Sequence, residues 1–184
     1  MRIISGKYRG MTIPMPKGGT IRPTTDQARE ALFNILVNRY DLEGLQILDL
    51  FAGSGAMSIE FASRGAAEVH SVERNGRVAA QLKSFVDEKR ISEVTIHKQD
   101  VWSFLKRGSE QVKDFDIVFA DPPYAMNNLI ELPSTILQST LLKKNGLLII
   151  EHPSTLSWPD LVPDEQRIYG QTVFSLFTNS RTFG

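Results

Sequence analysis

The sequence predicts an α/β fold: a mainly parallel, seven-stranded sheet with helices on both faces and a C-terminal antiparallel hairpin. Three observations predict it. From Leu45 onward, short apolar runs alternate with stretches of helical spacing, the pattern of successive βαβ units. The first unit is joined by a glycine turn, Asp49-Leu50-Phe51-Ala52-Gly53-Ser54-Gly55, between an apolar strand and a helix. Near the end, the runs 167–169 and 172–177 flank Gly170 and read as a closing hairpin.

In chain order, Arg2-Ile3-Ile4-Ser5 and Met11-Thr12-Ile13-Pro14 are short β-type runs around the loop Gly6-Lys7-Tyr8-Arg9-Gly10. They read as an N-terminal β-hairpin extension. Lys17-Gly18-Gly19 is a flexible joint, so the expected organisation is a basic extension over 1–20 and one domain over 21–184. Thr24 and Gln27 match a capping box, and Asp26 suits the positive start of a helix. Ala28, Ala31, Leu32, Ile35 and Leu36 then recur at helical spacing to about Asn38. Strands follow over 46–51, 68–73, 94–98, 115–120 and 147–150. Between them, helices are expected over 56–64, 76–89, 101–106 and 128–142, the last interrupted at Pro133. Residues 115–120 are almost wholly apolar, as in a strand covered on both faces.

The 184 residues suffice for one well-buried domain, and 41% hydrophobic with 23% charged residues is ordinary for a soluble protein. No cysteine is present, which rules out disulfides and thiolate metal sites and fits a reducing, cytoplasmic setting. No metal site is expected. No apolar run approaches the ~18 residues of a membrane helix. Net charge is zero, yet residues 1–30 carry +4 and residues 31–184 carry −4. A basic end suggests a phosphate-rich partner held there. Lys7 and Arg9 flank Tyr8, a set in which the ring can stack on a base and the cations can meet phosphates.

In a doubly wound sheet, ligands bind beyond the carboxyl ends of the strands. Asp49 to Gly55, Glu73, Asp100, Asp121 to Tyr124 and Glu151 all fall at such ends. The glycines allow a sharp turn and close ligand approach. Glu73, about 20 residues beyond the turn, suits the hydroxyls of a ribose. Asp100 suits an adenine amino group. A dinucleotide fingerprint wants Gly or Ala where Ser58 stands, and Asp49 suits an amino-bearing ligand better than a pyrophosphate. Both points favour S-adenosylmethionine over a nicotinamide dinucleotide. In Asp121-Pro122-Pro123-Tyr124 the prolines stiffen the turn and fix its carbonyls. The Asp121 carboxylate and the Pro122 carbonyl can accept both N–H bonds of an exocyclic base amine, while Tyr124 stacks on the base. This is catalysis by orientation and electrostatics, with no strong base.

At these residues the chain resembles a known family. The turn at 49–55 and Asp121-Pro122-Pro123-Tyr124 are marks of class I, Rossmann-like amino-methyltransferases acting on nucleic-acid bases. The N-terminal Arg2-Ile3-Ile4-Ser5-Gly6-Lys7-Tyr8-Arg9-Gly10, and Arg22-Pro23-Thr24 through Arg29-Glu30-Ala31-Leu32-Phe33-Asn34, resemble the RsmD family, the bacterial 16S rRNA guanine-N2 methyltransferases. The resemblance covers essentially the whole chain. It implies methyl transfer from S-adenosylmethionine to the N2 amine of one guanine in 16S rRNA, in the 30S subunit or an assembly intermediate, leaving S-adenosylhomocysteine. It implies that Asp49, Phe51, Ala52, Gly53, Ser54 and Gly55 cradle the methionine part. Glu73 takes the ribose, Asp100 with Val101 the adenine, and Arg74 also belongs to the cofactor site. Asp121, Pro122, Pro123 and Tyr124 hold the guanine. Lys7, Tyr8, Arg9, Arg22 and Arg29 are on the substrate side, and Arg22, Arg29 and Asn34 lie over the cofactor mouth. It also suggests a monomer.

Other readings are a DNA adenine or cytosine amino-methyltransferase, which needs a longer recognition segment, and a protein glutamine methyltransferase, which carries Asn where Asp121 stands. A nicotinamide-dependent oxidoreductase lacks a catalytic set here. A ribosome-binding protein on a retired fold would not need intact motifs. The roles of Glu151 and His152 stay open, although a lone histidine before Pro153 is more often structural.

Overall fold

The computed structural model describes residues 1–15, 26–111 and 114–180, with backbone only over 107–111. The elements are α1 (Asp26–Arg39), β1 (Gln46–Leu50), α2 (Ala56–Ser63), β2 (Glu68–Val72), α3 (Gly76–Lys89), β3 (Val94–His97) and α4 (Val101–Gln111). After them come β4 (Phe115–Ala120), a 3-10 turn (Leu129–Glu131), α5 (Leu132–Gln138), β5 (Leu142–Pro153), β6 (Glu165–Tyr169) and β7 (Thr172–Thr178). The seven strands form one sheet in the order β3-β2-β1-β4-β5-β7-β6. Pairing is parallel from β3 to β5 and antiparallel for β5–β7 and β7–β6. The expected mainly parallel sheet with an antiparallel C-terminal hairpin is therefore present.

Side-chain alternation splits the core into two layers. Ile47, Ile117, Phe119 and Ile149 point to one face, under Leu32 and Phe33 of α1, Phe61 of α2 and Leu82 of α3. Leu48, Leu50, Val118 and Ile150 point to the other, under Phe104 of α4 and Ile136 of α5. Asp49 shares the first face, opposite Ser71 of β2 and Phe119 of β4 in register.

Three elements differ from their sequence expectation. Pro133 starts α5 instead of interrupting a longer helix, because its missing N–H would have no partner in the first turn anyway. β5 begins at Leu142, not at 147, with a register shift where Phe115 pairs Leu142 but Ile117 pairs Leu147. The extra residues loop out, and Asn145 takes a φ of +62° there. Helix α4 runs through Gly108 to Gln111, the glycine being tolerated at about 1 kcal/mol relative to alanine. Thr24 of the expected capping box lies outside the described residues.

The N-terminal segment is built into the domain. Its two runs meet through an Arg2–Thr12 bridge, with Ile3 N–H donating to the Met11 carbonyl at 2.9 Å. Ile3, Tyr8 and Ile13 join the α1–α2 layer of the core. The fastening is Glu60, a fully buried carboxylate on α2. It accepts the N–H groups of Ile4 at 2.8 Å and Ser5 at 3.1 Å, and pairs with Arg64 at 2.7 Å. Ser63, at the end of the same helix, takes Lys7 N–H on its carbonyl at 2.7 Å and Tyr8 N–H on its hydroxyl at 2.8 Å. Gly6 is obligatory in this contact: its φ is +82°, and a Cβ would sit 1.7 Å from the Ser63 carbonyl oxygen.

Replacing Glu60 by alanine strands two backbone donors and the Arg64 charge. Glu60→Ala is expected to lower the unfolding free energy by about 3–5 kcal/mol in urea titrations. Amide protection at Ile4 and Ser5 should fall to that of an unstructured segment in the same variant.

Candidate active site

The sheet order reverses at β1, which has β2 on one side and β4 on the other. The turns leaving β1 and β4 therefore part towards different helices and leave a crevice between them. The glycine turn is shaped by positive φ at Phe51 (+66°), Gly53 (+54°) and Gly55 (+79°). A Cβ on Gly55 would lie 2.3 Å from Leu82 of α3, so only glycine lets α2 start this close to α3. Ala52 N–H donates to the Val72 carbonyl at 2.9 Å, and Gly53 N–H donates to Glu73 at 3.0 Å. The other Glu73 oxygen accepts Asn75 N–H at 2.7 Å. Each oxygen keeps a second lone pair for a sugar hydroxyl. At the end of β3, Asp100 is half-buried and accepts Ser103 N–H at 3.1 Å, which also makes it the cap of α4.

Asp121 leaves β4 beside the turn, its N–H directed to the Leu50 carbonyl at 3.4 Å. Pro122 is buried, Pro123 is exposed, and Tyr124 is exposed at 37%. Asp49, Phe51 to Ser54 and Asp121 line one solvent-open cleft. Arg29 of α1, Phe119 of β4, Met57 of α2 and Met1 complete its walls. Arg22 lies outside the described residues. Gly55, Glu73, Arg74, Asp100, Val101, Pro122, Pro123 and Tyr124 do not line this cleft.

Two features were missed in the sequence. Asp49 is completely buried, and desolvation pushes its carboxyl up to about 7, an effect reinforced by the nearby Glu73 charge. Ser58 partly offsets this by donating its hydroxyl hydrogen to Asp49, and Ser71 donates to Ser58 at 2.7 Å. Ser58 thus departs from the dinucleotide pattern because it supports this carboxylate.

The other concerns Tyr8. Its ring is 9% exposed and its hydroxyl donates to Glu93 at 2.8 Å, while Lys7 pairs with Glu93 at 2.8 Å. A ring held this way has no free face for a base, which corrects the stacking role expected of it. Of the loop, Lys7 and Arg9 stay exposed.

His152 belongs to a separate network. Ser175 accepts from Trp158 at 3.2 Å and Gln166 at 3.0 Å, so its own hydrogen goes to His152 Nε2 at 2.7 Å. His152 Nδ1 then carries the proton that reaches the Pro153 carbonyl at 3.0 Å. Burial lowers its pKa, which keeps the ring neutral and structural.

The cleft suits the amino-acid end of S-adenosylmethionine. A glycine turn permits close approach, Asp49 is a buried carboxyl group at the cleft wall, and Arg29 has buried donors without partners among the described residues. Among the described residues no cluster of His, Asp and Glu could hold a metal ion, and no helix is long and apolar enough to cross a membrane.

Comparison with known proteins agrees in two steps. The fold is that of the class I, Rossmann-like methyltransferases. It superposes with a TM-score of 0.67 on an RNA methyltransferase from Salinibacter ruber bound to S-adenosyl-L-homocysteine, at 13% identity, a likeness of fold alone. The chain belongs to the RsmD family: the family described as conserved hypothetical protein 95 matches residues 1–178. It is 30% identical to the ribosomal RNA small subunit methyltransferase D of Escherichia coli, over 96% of this chain and 89% of that one. The enzyme of the same name from Haemophilus influenzae is 35% identical, over 82% of this chain and 78% of that one. The structure of a hypothetical protein from Thermus thermophilus superposes at TM-score 0.84 with 35% identity, covering 96% of this chain and 98% of that one.

Because the folded state holds an extra proton on Asp49, stability should fall as pH rises from about 4 through about 7. Urea unfolding of the ligand-free protein at pH 5 and pH 8 measures this. Asp49→Asn removes the pH dependence and stabilises the protein at pH 8 by on the order of 2 kcal/mol.

Proposed function

We propose that this protein transfers a methyl group from S-adenosylmethionine to the exocyclic N2 amine of a guanine in 16S rRNA, within the 30S subunit or its assembly intermediate. One observation carries the reading: Asp121 and the glycine turn with Asp49 line a single cleft. A cofactor site and an amine-binding turn must share a wall if a methyl group is to pass directly between their ligands. The relatives named as small-subunit rRNA methyltransferases support the rRNA as substrate.

In this reading Asp49 meets the ammonium of the cofactor's methionine end, Gly53 and Ser54 border it, Glu73 holds the ribose, and Asp100 and Val101 lie at the adenine. S-adenosylmethionine, when bound, supplies an electrophilic methyl group. Asp121 and the Pro122 carbonyl accept the two N–H bonds of the guanine amine, which draws its lone pair out of conjugation with the ring. Asp121 also offsets the positive charge that develops on this nitrogen. Tyr124, exposed beside the turn, covers the flat face of the base. Arg9 and Lys7 supply phosphate contacts, and a folded particle provides the rest of the recognition. The protein acts as a cytoplasmic monomer.

Purified protein is expected to label the 16S rRNA of 30S particles taken from a strain lacking the enzyme, when given methyl-labelled S-adenosylmethionine. An unlabelled 16S rRNA despite intact cofactor binding sinks the assignment. Mass spectrometry of the product locates the modified guanine. Asp121→Ala should reduce methyl transfer by at least 100-fold while leaving S-adenosylhomocysteine affinity within about threefold.

A further inference from the structure

Three exposed cations, Arg74, Arg77 and Lys98, gather around Gly76 at the carboxyl end of the parallel strands. Arg74 follows β2, Lys98 follows β3, and Arg77 stands in the first turn of α3. Lys98 lies across that turn: a Cβ on Gly76 would be 2.6 Å from its Cε and 2.9 Å from its Nζ. None of the three enters an ion pair among the described residues. Further along α3, Lys83 and Lys89 pair with Asp87 and Glu88 at 2.9 and 2.8 Å. Glu73, the acid next to Arg74 in the chain, uses its two oxygens on the N–H groups of Gly53 and Asn75.

These charges do not serve the helix. A helix start favours negative charge, and the first turn of α3 holds no acid. Two of its N–H groups are capped by Asn75, which accepts from Arg77 at 3.0 Å and from Val78 at 3.3 Å. Three cations there repel one another and oppose the helix dipole, and an anionic partner relieves both. Their place indicates which partner. β2 and β3 lie two and three strands from β4, so the cluster is on the order of 10–15 Å from Asp121, at the same end of the sheet. The Lys7–Arg9 loop lies elsewhere: Lys7 is tied to Glu93, which precedes β3, on the order of 15 Å from Lys98. Exposed cations spread over a rim suit a polyanionic backbone lying across the surface better than a free phosphate. On the rRNA reading given above, we propose that the strand carrying the target guanine crosses the carboxyl end of the sheet from Tyr124 to α3, where Arg74, Arg77 and Lys98 hold its backbone phosphates. Contacts of this kind carry no sequence information, but they fix the register in which the guanine meets Asp121.

The chain has no cysteine, so a radical-generating iron chelate can be tethered at one chosen residue. Ala80→Cys puts it on the exposed surface of α3, one turn from Arg77. Lys144→Cys puts it at the amino end of the parallel part of β5. In complexes with 30S particles from a strain lacking the enzyme, the probe at Ala80 is expected to cut the 16S rRNA backbone within a few nucleotides of the methylated guanine, and the probe at Lys144 is not. No rRNA cuts near that guanine from Ala80, or cleavage of ribosomal proteins alone, overturns the proposal. Arg77→Ala combined with Lys98→Ala should raise KM for the particles at least 10-fold and lower its salt slope by about 1–2 in log–log terms, with S-adenosylhomocysteine affinity unchanged. Lys83→Ala with Lys144→Ala removes the same charge elsewhere and should leave KM within about twofold. Equal effects from the two pairs, or a parallel loss of S-adenosylhomocysteine affinity in the first, also overturn it. A native protein that does not bind the particles at all refutes the rRNA reading itself, and this proposal with it.

Discussion

The site depends on β1 being paired in parallel on both sides. With β2 on one edge and β4 on the other, the chain must leave the three carboxyl ends in diverging directions. The gap that results is where the glycine turn sits, and it is also why Asp49 is buried. Its position in β1 aims it at the layer under α1 and α2, not at water. The sheet therefore creates both the opening for a ligand and the buried carboxyl group, Asp49, at its wall. Ser58 and Ser71 soften that burial without neutralising it.

A second carboxylate, Glu60, organises the wall above the opening. By holding Ile4 and Ser5 it fixes the N-terminal segment on α2. The Arg2 carbonyl, two residues away, then positions Arg29 at the cleft. The basic character of the N-terminal end is thus divided. Arg29 is turned inward and buried, Lys7 is tied to Glu93, and Arg9 faces solvent.

The sheet, the position of its turn and the hairpin at its end were legible in the sequence, because each is written in a local pattern: apolar runs, glycines and helical spacing. The clustering of the 49–55 turn with Asp121 followed from the rule for strand ends in such sheets. What could not be read was any role set by a distant partner. Glu60 and Ser63 look like ordinary polar residues of a helix, and only the docked N-terminal segment gives them a purpose. Tyr8 between two cations reads as an exposed ring, and nothing local announces that Glu93 will capture its hydroxyl. Pro133 was misplaced for a related reason: the same residue breaks a helix or begins one, and the choice depends on where the preceding turn ends.

The attachment of the N-terminal segment also orders events in time. Ile4 and Glu60 are 56 residues apart, so the N-terminal segment has nothing to hold until α2 has formed and docked on β1. Closing so long a loop is entropically unfavourable, and it becomes worthwhile only once Glu60 is already buried and paired with Arg64. The wall that carries Arg29 therefore assembles only after α2 has docked. A chain caught before that step has its glycine turn but no wall beside it, which ties the shape of the cleft to the docking of the N-terminal segment.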